Sequence, residues 1–124
     1  MSDLIYKEEV YNIIGVCMEV HGQLGRGFSE IVYKDAIEYE CKEENYFYER
    51  EKEFMISYKN ITLPHKYFAD FVVFGKIILE IKSCEGIVRE HIGQVVNYLA
   101  ASKLRVGLIV NFGKESLEYK RIIL

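Results

Sequence analysis

Asp70, Glu80 and Lys82 interrupt the apolar run KYFADFVVFGKIILEIKS, residues 66–83, which is otherwise rich in Phe, Val and Ile. The run reads as two short strands folded back on each other at Gly75 and Lys76. Side chains alternate faces along a strand, so Glu80 and Lys82, two apart, point the same way. A Glu and a Lys among isoleucines are costly to bury unless they pair or bind something. If Asp70 joins them, two carboxylates can hold a divalent metal with an ammonium beside it. That is the outline of a metal-dependent site for cutting phosphodiesters.

Bringing Asp70 to Glu80 constrains the hairpin, because directly opposed residues of an antiparallel pair share a face. A two-residue Gly75-Lys76 loop sets Asp70 opposite Ile81 and sends Glu80 to the far face. A three-residue loop, Phe74 to Lys76, sets Asp70 opposite Glu80. The chemistry therefore predicts an odd-length loop or a bulge.

Elements on either side must position this hairpin. Val10, Ile13, Ile14, Cys17, Val20 and Leu24 recur at helical spacing and predict a helix over 3–24, with Ser2 or Asp3 as cap. His21 lies near its apolar stripe and reads as a structural histidine. GQLGRG, residues 22–27, lacks the Lys-Ser/Thr and the spacing of a phosphate loop and reads as a helix stop and turn. Ser29 suits the start of a second helix running to about Glu44, with Val32, Tyr33, Ala36, Ile37 and Cys41 inward. Glu30 falls in its first turn, where a carboxylate complements the helix dipole.

Alternation at Phe54, Ile56 and Tyr58 predicts a strand over 49–58, followed by a turn at Lys59-Asn60. Tyr46, Phe47 and Tyr48 could stack bases, but a hydrophobic seam is the better reading. Val88, Ile92, Val95, Val96 and Leu99 form the apolar face of a third helix over 87–102. His91, Gln94 and Tyr98 line its adjoining edge and can look at one place. RVGLIVN, residues 105–111, is a continuous apolar strand of the kind buried on both faces. Residues 111–113 turn the chain into a last strand over 117–124. The order is ααβββαββ: an α/β fold, a mixed β-sheet flanked by helices, with residues 77–111 as its parallel crossover.

At 124 residues the chain fits one domain, 1–124, and its 28% charged and 50% hydrophobic content is that of a soluble globular protein. Acidic residues in MSDLIYKEEVYNII argue against a secretion signal, and no apolar stretch reaches the ~20 residues of a membrane span. Cys17, Cys41 and Cys84 are odd in number and widely spaced, which fits reduced thiols in a cytoplasm and gives no zinc or cluster spacing. Cys84 reads as inert rather than redox-sensitive. The net charge of −3 runs against nucleic-acid binding, although Arg26, Lys66, Lys82 and Arg89 could form a local cationic groove.

Asp70, Glu80 and Lys82 have the D…ExK form and strand context of the PD-(D/E)XK nuclease superfamily, with Ala69 where proline is usual. Gln94 and Tyr98 resemble the QxxxY of its lambda-exonuclease-like branch. Gly27, Glu30 and Tyr33 spell the G-x-x-E-x-x-Y of the GxxExxY family within that superfamily. The run HIGQVVNYLAASKLRVGLIVNFG and the closing SLEYKRIIL look like that family too, so the resemblance covers nearly the whole chain. It implies a restriction-endonuclease-like fold and a nuclease acting on nucleic acid, with DNA favoured over RNA only by the superfamily's habits.

Carried over residue by residue, the resemblance casts Asp70 and Glu80 as metal ligands, with the carbonyl of Ile81 as a third. Lys82 orients or activates the attacking water and offsets transition-state charge. Glu30 supports the metal directly or through water. Gln94 and Tyr98 hold the scissile phosphate or the Lys82 region, His91 contributes a hydrogen bond, and the Tyr33 phenol reaches the site. Carboxylates, carbonyl and water suit a hard cation, Mg²⁺ or Mn²⁺. So small a domain, with no evident DNA-reading element, implies a homodimer or partners. Two other readings remain open: a binding module that keeps the fold but does not cut, and a hydrolase of small nucleotides.

Overall fold

The computed structural model describes residues 5–124. Two helices, α1 (Lys7–Leu24) and α2 (Glu30–Glu44), precede three strands, β1 (Tyr48–Tyr58), β2 (Ile61–Val73) and β3 (Ile77–Lys82). Helix α3 (Arg89–Ser102) and strands β4 (Val106–Asn111) and β5 (Glu118–Ile123) complete the chain. The sheet runs β1-β2-β3-β4-β5, antiparallel except between β3 and β4. That is the predicted ααβββαββ order in a restriction-endonuclease-like mixed sheet.

The parallel pair is joined by the crossover through α3, and all of it but Lys82 is buried, as RVGLIVN predicts for β4. One face of the sheet carries Phe71, Val73, Ile77, Leu79, Ile81, Leu108 and Val110 against α1 and α2. The other sets Val72, Ile78 and Ile109 against Val95, Tyr98 and Leu99 of α3. Gly107 permits that second contact, since a Cβ there would lie 2.5 Å from Val95 Cγ1.

Boundaries differ from expectation where local bonds decide. Ser2 and Asp3 lie outside the described residues, and α1 begins after Tyr6, whose backbone is left-handed at φ 57°. Ser29 flanks α2 without a side-chain cap bond. Helix α3 starts at Arg89 because Val88 stays extended and donates its N–H to His91 Nδ1 at 3.1 Å. His21 is structural as expected, its Nε2 lying 2.9 Å from Lys114 O. Tyr46 and Tyr48 pack edge-on to Phe74 and Phe71, forming the predicted seam, while Phe47 stays 62% exposed. No helix among the described residues is long and apolar enough to cross a membrane.

Candidate active site

The hairpin between β2 and β3 has the three-residue loop that the chemistry requires. Val73 pairs with Ile77, so Phe74, Gly75 and Lys76 form the turn. Phe74 and Gly75 both have positive φ, 58° and 67°, and Lys76 N–H donates to Val73 O at 3.1 Å. Glycine adopts that conformation at no steric cost; Phe74 tolerates it with its ring packed against Tyr46.

Pairing between β2 and β3 covers only three residue pairs, ending at Phe71 with Leu79. One step further, the carboxylates take over the ladder. Asp70 N–H donates to Glu80 Oε2 at 2.7 Å, and Ile81 N–H donates to Asp70 Oδ2 at 2.8 Å. Each acid thus satisfies a backbone donor that the opened strand pair leaves free.

Alternation on β2 also slips at this point. Phe71 and Val73 face α1 and α2, yet Ala69 and Tyr67 both pack on the α3 side. Across the strand pair, Arg50 meets Phe71 and Lys52 meets Ala69, which puts Glu51 opposite Asp70. Glu51 has a left-handed φ of 53°. Non-glycine residues pay roughly 1–2 kcal/mol for this conformation, so the irregularity is held by its surroundings.

Glu80 follows Ile78 onto the α3 side and is only 3% exposed. Burial, and then the charge of Asp70, pushes its carboxyl up to about 8. Its attraction to Lys82 and Lys34 does not offset those two effects. Lys82 donates to Gln94 Oε1 at 3.1 Å, and Gln94 Nε2 donates to Tyr98 Oη at 3.0 Å. Burial and the nearby Glu80 and Asp70 push the Tyr98 phenol up to about 12. It therefore keeps its proton at neutral pH and can donate it.

The structure brings together Asp70, Glu80, the Ile81 backbone, Lys82, Gln94 and Tyr98. Glu30 is exposed in the first turn of α2, and no hydrogen bond or ion pair joins it to Asp70 or Glu80 among the described residues. Lys34, one turn later, does reach the site: its Nζ lies 3.1 Å from Asp70 Oδ1 and 3.0 Å from Glu51 Oε2. Sequence reasoning missed both Lys34 and Glu51. Glu51 lies in the predicted β1, and the only hint of Lys34 was its four-residue offset from Glu30.

One expectation needs correcting. The Tyr33 phenol does not reach the site; it donates to Gly25 O at 2.7 Å and accepts the Phe28 N–H, fastening the turn after α1. The Tyr33 ring stacks on Phe112 at 4.5 Å, which holds it away from Asp70. His91 spends Nδ1 on Val88 rather than on the site.

Asn111, fully buried at the end of β4, fixes the backbone after Lys82. Its Oδ1 accepts the N–H groups of Cys84 and Gly113, and its Nδ2 donates to Cys84 O and Glu118 Oε1. Gly113 packs so closely on this loop that a Cβ would lie 2.2 Å from Cys84 O.

The donor set fits a hard divalent cation in type: two adjacent carboxylates, one deeply buried without a full counter-charge, with no His or Cys grouped with them among the described residues. Among the described residues, no group of three or more His, Cys, Asp or Glu side chains converges at metal-holding distance. Backbone carbonyl and water would have to complete the coordination shell. Beside the site, a cleft of about 640 Å³ opens between β2 and α3, lined by His65, Lys66, Tyr67, Gln94, Asn97 and Tyr98 among others.

Among solved structures, the fold is similar to that of SSO0001, with a TM-score of 0.61 and 22% identity. That match covers 74% of this chain and 48% of the other, so this chain spans about half the length of SSO0001. It is also similar to the alkaline exonuclease LHK-Exo from Laribacter hongkongensis, with a TM-score of 0.56 and 13% identity over 99% of this chain and 72% of that one. At such identities the likeness concerns the fold. No curated protein matches the chain. The model of the PD-(D/E)XK nuclease superfamily matches residues 7–122, and the chain belongs to that superfamily.

Proposed function

We propose that this chain is a Mg²⁺- or Mn²⁺-dependent nuclease of the GxxExxY branch that cuts DNA. The reading rests above all on one observation: Asp70 and Glu80 interlock across the opened β2–β3 ladder, and Lys82 stands on the same face as Glu80. Asp70, Glu80 and the Ile81 carbonyl would hold the metal, with Glu30 acting through water. Bound there, a dication supplies a Lewis acid for the phosphoryl oxygens and lowers the pKa of a water.

The chain's own residues do the rest. Gln94 accepts from Lys82 and so aims the ammonium, which offsets charge as the phosphate is attacked. Tyr98, with Gln94 donating to its oxygen, has its own proton free for a phosphate oxygen. The 640 Å³ cleft offers a strand a route to Gln94 and Tyr98, with His65, Tyr67 and Phe68 as stacking surfaces and Lys66 for the backbone. Self-association is part of the proposal, because α1 and β5 expose Tyr11, Met18, Tyr119 and Ile123. Light scattering should find a dimer; a monomer at all concentrations removes that element.

The decisive assay follows cleavage of single-stranded, duplex and branched DNA and RNA with Mg²⁺ or Mn²⁺. Lys82→Ala should lower cleavage by about 10²–10³-fold, the scale of losing one charge-stabilising group. Cleavage that survives this change intact would sink the assignment. A second reading, a binding module that does not cut, draws support from the absence of a third converging side-chain ligand among the described residues. Mn²⁺ binding without any cleavage would favour it.

A further inference from the structure

Lys34 belongs to no element of the proposed chemistry, yet it is bonded to the centre of the site. Its Nζ bridges Asp70 Oδ1 at 3.1 Å and Glu51 Oε2 at 3.0 Å, and its side chain is only 13% exposed. The remaining Asp70 oxygen, Oδ2, is occupied by Ile81 N–H. Each Asp70 oxygen therefore already accepts one bond from the chain itself. Glu51, which shares Lys34 with Asp70, sits directly across the strand pair in a left-handed conformation that other residues seldom adopt.

We propose that Lys34 is the resident cation of this site, clamping Asp70 to Glu51 until a divalent metal displaces its ammonium from Asp70. The inference rests on the metal-site reading above and concerns what the metal must compete with. An ammonium and a dication both on Asp70 Oδ1 repel each other in a poorly solvated pocket, so each weakens the other's hold on that oxygen. Metal entry therefore favours release of Lys34 from Asp70. Its long flexible stem allows this without moving α2, and Glu51, already bonded to Nζ at 3.0 Å, is an anion that can keep it. Lys34 is thus a positioning residue. It keeps the two acids in place in the metal-free protein and lowers metal affinity by competition.

Calorimetric titration of the full chain with Mn²⁺ tests the exchange, using wild type, Lys34→Met, Lys34→Arg and Asp70→Asn. Removing the competing charge in Lys34→Met should tighten binding by about tenfold or more, whereas Lys34→Arg should stay within about threefold of wild type. Unchanged or weaker binding in Lys34→Met, with binding lost in Asp70→Asn, overturns this inference and leaves the ligand assignment standing. No binding to wild type, or equal binding to Asp70→Asn, overturns both.

A measurement on wild type covers the case where Lys34→Met fails to fold. Acetylation of Lys34 by acetic anhydride, read by peptide mass spectrometry, should rise severalfold when Mn²⁺ frees the amine. Lys76, ion-paired with Glu9 at 2.9 Å, serves as internal control. Lys34 labelling that ignores the metal overturns the proposal.

Discussion

Strand β3 has two edges, and they behave differently. Against β4 it is paired along its whole length, six residues from Ile77 with Val106 to Lys82 with Asn111. Against β2 it is paired for three and then released. What β4 presents to the closed edge is apolar from Val106 to Val110. At the open edge, two backbone N–H groups turn to carboxylates instead of carbonyls. The candidate site thus lies where a β-ladder stops early, while the neighbouring ladder keeps the strand rigid. Asn111 extends the closed edge just far enough to fix the loop after Lys82.

Substitutions should separate the two edges. Leu108→Ala, in a fully buried position of β4, should cost about 2–5 kcal/mol in denaturant unfolding, because it leaves a cavity where packing is tightest. A cost below 1 kcal/mol would mean that the closed edge is not the rigid one. Gly113→Ala forces the Cys84 backbone to shift and should cost about 1–3 kcal/mol. It should also reduce cleavage more than stability alone explains, since that loop follows directly on Lys82.

Glu80→Gln tests the open edge through pH. The Glu80 carboxyl titrates near 8 when folded, against 4.5 as its ordinary value, so the folded chain binds the extra proton between those values. Metal-free stability from this group is fully present below about pH 4.5 and is lost as pH rises through about 8. Glu80→Gln should remove that decline and be a few kcal/mol more stable than wild type near pH 9 in EDTA, while losing Mn²⁺ binding. Parallel pH profiles for the two proteins would refute the buried-charge account. Gln94→Ala is the mildest change: under about 1 kcal/mol in stability, because Gln94 and its partner Lys82 are both half-exposed, and about tenfold in rate if it aims Lys82.

The contrast also explains what the sequence disclosed. Apolar runs and their periods announce a buried strand, so β3, β4 and the three helices were legible to within a few residues. The hairpin's parity was legible too, because the expectation that two carboxylates share one face leaves few loop lengths. Lys34 was not, because a lysine on a helix surface looks like any other until the strand 36 residues away is in place. Glu51 was hidden for a different reason: nothing in its identity signals a left-handed backbone. Tyr33 misled in the opposite direction, since a motif tyrosine invites a role at the site and here fastens a turn.

The turn of Phe74, Gly75 and Lys76 is exposed enough at Gly75 to look like a place where length can drift. It is not free to do so. Deleting one codon there would remove no reactive group, yet would rotate every residue of β3 by half a turn relative to β2 and carry Glu80 to the opposite side of the sheet. Relatives that keep the reaction should therefore vary this connection in steps of two residues, or correct an odd step with a compensating kink in the strand.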